Sequence, residues 1–133
     1  MPSVVKRIPA ASSTRALAHF ETLLEFETDC WDVHFAISNN RQDFALIDVR
    51  GANLFEEGHI AGATNIPHSK LSEAALSDIP VDTLIVVYCA GPHCNATEKA
   101  AIRLARLGRP VKKMIGGITG WLDEGFALNM EEK

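Results

Sequence analysis

From Ser13 onward, apolar residues recur at helical spacing. Leu17, Phe20 and Leu24 fall in line with Glu27, and Leu23 broadens the stripe. The pattern predicts a helix over 13–27, with Ser13 or Thr14 as its N-cap. Residues 1–12 read as a loose lead-in, because Pro2 and Pro9 oppose regular structure. A second, short helix is expected from Trp31 to Ser38, ended by the polar run Asn39, Asn40, Arg41. The texture then changes. Phe44 to Asp48 is a short apolar run closed by an acid, which reads as a buried strand. One helical turn is expected over 53–57, a brief strand over 63–66 stopped by Pro67, and a helix over 69–77. Leu84 to Tyr88 is the strongest strand signal, β-branched and apolar on both faces. After the loop 89–94 the period is helical again. Ala96, Ala100, Leu104 and Leu107 share one face, and Glu98, Lys99, Arg103 and Arg106 avoid it. Asn95 is the expected cap, with Glu98 completing a capping box, and Gly108 and Pro110 end the helix. A strand over 111–115, a Gly116-Gly117 turn and a short helix over 118–124 follow.

A strand that is apolar on both faces must be covered on both sides, which favours the centre of a parallel sheet between helix layers. Strands alternating with helices therefore predict an α/β fold: one domain with a mostly parallel central sheet, helices on both faces, and an extra N-terminal helix. The domain proper is expected over 41–133, with 1–40 a lead-in and helical extension packed on it. The composition, 47% hydrophobic and 23% charged, suits one globular core and argues against disorder. The net charge of −4 argues against a nucleic-acid or membrane-surface binder. The longest apolar run, 84–90, is strand-sized, and no secretory signal is read at the N-terminus. Three cysteines make a poor disulfide framework, so a reducing cytoplasm with free thiols is expected.

In open α/β sheets, ligands bind beyond the carboxyl ends of the strands. Cys89 sits at such an end, just before a helix N-terminus where backbone N–H groups lack partners and the dipole is positive. A thiolate there is expected to have a lowered pKa. Ala90, Gly91, Pro92, His93, Cys94 and Asn95 form a loop able to curl into a nest of N–H groups around sulfur or an oxyanion. The blander alternative is a buried strand-end cysteine, which the strand–loop–helix context outweighs.

At this point the residues resemble the rhodanese family. The matching pieces are Asp48-Val49-Arg50; Gly58-His59-Ile60-Ala61-Gly62-Ala63 with Asn65-Ile66-Pro67; Val86-Val87-Tyr88-Cys89; the Ala-rich helix from Ala96 with Leu107-Gly108; and Met114-Ile115-Gly116-Gly117 with Gly120-Trp121. They stand in family order and cover 43–126; the ordered set is specific although each piece is weak. The resemblance implies a sulfurtransferase. Cys89 would take a sulfane sulfur from a small-molecule donor such as thiosulfate, carry it as a persulfide, and pass it to cyanide, a thiol or a protein acceptor. No cofactor is expected. Many relatives place an arginine five residues after the cysteine, then a serine; here Cys94 and Asn95 stand there. A subset of the family is similar to this chain in having a Gly-Pro and a second cysteine in the loop. Losing the arginine removes a cation that would orient a charged donor, and His93 is the nearest replacement in sequence.

Cys94 has three readings: a resolving thiol, a sulfur relay, or a small loop residue packed on the sheet. Arg50 is a second accessory candidate, although an Asp48–Arg50 pair at a strand end more often ties loops together. A metal site from Cys89, His93 and Cys94 lacks a further ligand pair. His59 reads as a packing residue, His68 as a neighbour of the site at most, Cys30 as inert and Trp121 as core. Lys112, Lys113, Arg103, Arg106 and Arg109 read as a solvated face. Alternatives to sulfur transfer are a dithiol redox or detoxification role for Cys89 and Cys94, a phosphatase-like reaction disfavoured by the missing arginine, and a non-catalytic binding module. The chain is expected to be a monomer or homodimer.

Overall fold

The computed structural model describes residues 1–130, so the last three residues of the domain expected over 41–133 lie outside the described residues. In chain order the elements are α1 (Val4–Arg7), α2 (Ser13–Phe26), β1 (Glu27–Thr28), α3 (Cys30–Ser38), β2 (Ala45–Asp48), α4 (Ala52–Glu57) and β3 (Ala63–Asn65). A 3-10 turn (His68–Lys70), β4 (Ile85–Tyr88), α5 (Ala96–Arg106), β5 (Val111–Met114) and α6 (Gly117–Asp123) complete them. Five strands form one sheet in the order β1-β5-β4-β2-β3, and every pairing is parallel. β4 lies at its centre with all four residues buried, as its two-sided apolar sequence requires.

The pleat divides the core in two. Ile85 and Val87 of β4 point to one face with Ile47, where Ala100 and Leu104 of α5 cover them together with Leu71 and Leu76. Val86 and Tyr88 point to the other with Leu46 and Met114, covered by Cys30 and Val33 of α3 and Trp121 of α6. Helices thus flank both faces.

Local chemistry sets the boundaries. Ser12, one residue ahead of the two caps expected, accepts from the Arg15 N–H at 3.3 Å and starts α2. Asp29 does the same for α3, accepting from Asp32 N–H at 2.8 Å. Asn95 precedes α5 but makes no side-chain cap bond. Glu98 closes no capping box either; its carboxylate accepts from the Thr97 hydroxyl and from Lys113.

Three expectations fail. Residues 69–77 form turns rather than a helix. Leu71 and Leu76, five positions apart, are the buried pair, which one helical face does not provide. Arg109 is not solvated: it is 5% exposed and donates to the carbonyls of Ile79 and Pro80 at 3.0 and 3.2 Å and to Glu73 at 3.1 Å, pinning this turn segment. The extension 1–40 does more than pack on the domain, since its β1 is an edge strand of the sheet and its α3 reaches the core. Its α2, by contrast, buries no residue, and Leu17, Phe20 and Leu24 are more than half exposed. Among the described residues no helix is long and apolar enough to cross a membrane.

Candidate active site

Beyond the carboxyl end of β4 the chain enters the loop 89–95 and then α5. Cys89 is 4% exposed and forms the floor of a pocket of about 210 Å³. Gly91, Pro92, Cys94 and Thr97 share its lining, with Glu98 and Lys113, and the 114–117 segment closes the opposite wall. Strand end, loop and helix N-terminus therefore meet as the sequence predicts.

The loop is held from behind. The Ile118 N–H donates to the Cys89 carbonyl at 3.0 Å, and the Thr119 N–H and hydroxyl donate to the Ala90 carbonyl at 2.9 and 3.1 Å. For α6 to come this close, residue 117 must lack a side chain. Gly117 has φ +58, and a Cβ there would lie 2.5 Å from the Cys89 carbonyl oxygen and 2.8 Å from Gly91 N. The Cys94 N–H donates back to the Gly91 carbonyl at 3.0 Å, closing a tight turn that folds Cys94 over Cys89.

The two thiols share the pocket, and each bears on the other's ionisation. Burial, and then the bond to Cys94, push the Cys89 thiol up to about 12. Burial also opposes ionisation of Cys94, but the Cys89 hydrogen bond and the N–H groups of Ala96 and Ala90 outweigh it, so Cys94 falls below the ordinary thiol value. The lowered pKa expected of Cys89 thus belongs to its partner. The helix-end N–H groups reach the more exposed sulfur, while Cys89 is too deeply desolvated to carry the resting charge.

Arg50 does not line the pocket. It is 9% exposed, with Nε and Nη2 on the Asp48 carboxylate at 3.0 and 2.7 Å and Nη2 on the Gly58 carbonyl at 2.7 Å. Burial disfavours its charge, but Asp48 more than compensates and raises its pKa. The Tyr88 hydroxyl also bonds Asp48 and accepts from the Ile60 N–H at 3.1 Å. This buried knot fixes the ends of β2 and β4 beneath the pocket.

Of the remaining loop residues, Pro92, His93 and Asn95 are exposed and Ala90 is half-buried. The His93 ring folds back towards Gly91, where a Cβ would meet it at 3.0 Å. His59 is buried, stacked on Phe55 at 3.7 Å, with Nδ1 2.8 Å from the Phe55 carbonyl. Cys30 packs under the 115–117 turn, 3.5 Å from the Ile115 carbonyl, and burial pushes it up to about 11. Two rim residues were not anticipated from sequence. Lys113, expected on a solvated face, reaches the pocket and pairs with Glu98, which that contact holds below the usual carboxylate range. His68, Lys99, Arg103 and Arg106 instead line a separate cleft of about 510 Å³.

The profile of the rhodanese-like domain family matches residues 35–124. The chain is 38% identical over 88 residues to the HTH-type transcriptional regulator Rv0324 of Mycobacterium tuberculosis, covering 65% of this chain and 38% of the regulator. It is 34% identical over 85 residues to the thiosulfate sulfurtransferase GlpE of Coxiella burnetii, covering 61% of this chain and 74% of that enzyme. The crystal structure of BH2092 from Bacillus halodurans superposes with a TM-score of 0.86 at 35% identity, over 89% of this chain and 86% of the other.

Proposed function

Because the chain belongs to the rhodanese-like domain family, we propose that it is a sulfurtransferase in which Cys89 carries a persulfide. The observation that carries this reading is the position of Cys89, on the floor of a pocket at the carboxyl end of the central strand. The similarity to a thiosulfate sulfurtransferase supports the reaction class.

Two displacements make up the cycle. Cys89 gives its proton to the Cys94 thiolate and attacks the outer sulfur of the donor. The donor's sulfur bond breaks, and the leaving group departs with the electron pair, as sulfite when thiosulfate is the donor. The new persulfide is anionic and faces the loop 90–95, whose N–H groups at the start of α5 favour negative charge. An acceptor thiolate or cyanide then attacks the outer sulfur, and Cys89 leaves as thiolate. A small-molecule donor and a thiol, cyanide or protein acceptor complete the reaction; no residue role calls for a cofactor. Glu98 at the rim, and cysteine in place of the loop arginine, disfavour a doubly charged donor.

The test is intact-protein mass spectrometry after incubation with thiosulfate, and separately with 3-mercaptopyruvate. Loading should add to Cys89 one sulfur atom that cyanide removes, retained on Cys94→Ser, and Cys89→Ser should abolish it. Absence of a sulfur adduct with either donor, on wild type and on Cys94→Ser, would overturn the proposal.

A further inference from the structure

Cys94 has more than a loop residue's share of the site. It lines the same pocket as Cys89, packs against the same apolar cluster, and bears on the ionisation of the Cys89 thiol. The turn closed by its N–H on the Gly91 carbonyl holds it there. Two thiols held side by side in one pocket are placed for disulfide exchange.

We propose, resting on the sulfurtransferase reading above, that Cys94 resolves the Cys89 persulfide, releasing hydrosulfide and closing a Cys89–Cys94 disulfide. The Cys94 thiol, which took up the Cys89 proton during loading, attacks the inner sulfur, Sγ of Cys89, as that proton passes to the outer sulfur. A Cys94–Cys89 sulfur bond forms, the bond to the outer sulfur breaks, and the outer sulfur leaves with the electron pair as hydrosulfide. The sulfane sulfur is reduced by two electrons, and the two cysteines are oxidised together. An external dithiol reductant then opens the disulfide by exchange, restoring both thiols and becoming a disulfide itself. Over a full turn the donor's sulfane sulfur appears as hydrosulfide at the expense of one dithiol.

Attack on the outer sulfur would instead move the persulfide to Cys94, and two features disfavour it. The leaving group would be the Cys89 thiolate, a strong base in a buried position, whereas hydrosulfide is a weaker base and leaves faster. Position acts the same way. The tight turn from Gly91 to Cys94 holds Cys94 in the pocket beside Cys89 itself, so the inner sulfur is the atom within reach when the persulfide forms. N–H groups of Ala90 and Ala96 favour negative charge on the Cys94 sulfur as its proton leaves.

The test uses the full chain, fully reduced, loaded with 3-mercaptopyruvate, freed of donor and held without external thiol. Hydrosulfide is trapped with a bimane reagent and the protein is weighed intact. Wild type should release about one hydrosulfide per chain, at least about tenfold faster than Cys94→Ser, and end lighter than the reduced protein by two hydrogens. Peptide mapping should place the disulfide between Cys89 and Cys94, and Cys94→Ser should stay heavier by one sulfur. A wild type that keeps its extra sulfur on Cys89, or shows it on Cys94, would overturn the inference and leave the sulfurtransferase reading standing. No adduct even on Cys94→Ser would overturn both.

Discussion

Asp48 is fully buried, and Arg50 brings two side-chain nitrogens to its carboxylate and its backbone N–H a third at 3.0 Å. Removing the cation strands a buried charge. Arg50→Met should therefore cost about 3–5 kcal/mol in urea unfolding, far more than a surface arginine. A loss under about 1 kcal/mol would mean that water already reaches Asp48. The two thiols give a pH signature. In wild type the pair loses its first proton at the lowered value of Cys94, so sulfur loading should fade only as pH falls below that value. In Cys94→Ser the charge must form on buried Cys89, and the loading profile should move alkaline by at least about one pH unit. A superimposable profile would remove Cys94 from the proton path. The Asp48–Arg50 tie and the strand-end cysteine were legible in the sequence, because both follow from residue type and the β–loop–α order. Which thiol is the more acidic was not, since that depends on which N–H groups aim at which sulfur.

The active-site loop depends on an element that follows it by more than twenty residues in the chain. α6 can donate to the Cys89 and Ala90 carbonyls only while position 117 has no Cβ. Gly117→Ala should push the loop away, costing about 1–3 kcal/mol in stability and slowing sulfur loading. Gly108→Ala is the control. Its φ of +77 carries a similar backbone cost, but a Cβ there meets nothing within 4 Å, so loading should stay at the wild-type rate. Equal effects on loading from both changes would mean that general destabilisation, not the loop contact, sets the rate. The Gly116-Gly117 turn was visible in the sequence; the reason for its glycines was not, because the clash is with residues distant in the chain. The 69–77 segment misled for the same reason. The carbonyl of Leu76 within it, and those of Ile79 and Pro80 just beyond, turn towards Arg109, 30 residues from Ile79, and local periodicity carries no record of such a partner.

At the scale of the molecule, the strand–helix alternation was enough to predict a parallel sheet covered on both faces, whereas β1, a two-residue edge strand, is too short to leave a pattern. The amphipathic stripe of α2 was read correctly as a helix, but its apolar residues do not enter the core. A helix of 14 residues is marginal on its own in water and draws its stability from what it packs against. The contrast with α5 makes this measurable. Leu104 is fully buried among Ile85, Val87 and Leu76, so Leu104→Ala should cost about 2–5 kcal/mol. Leu24 is 69% exposed, so in a monomer Leu24→Ala should change stability by no more than about 0.5 kcal/mol. Urea unfolding of both variants at two protein concentrations separates the cases. A small, concentration-independent effect at Leu24 would leave α2 an open face on a monomer. A loss approaching that of Leu104→Ala, with a wild-type midpoint that rises with protein concentration, would mean that a second copy covers the stripe and that the folding unit is a homodimer.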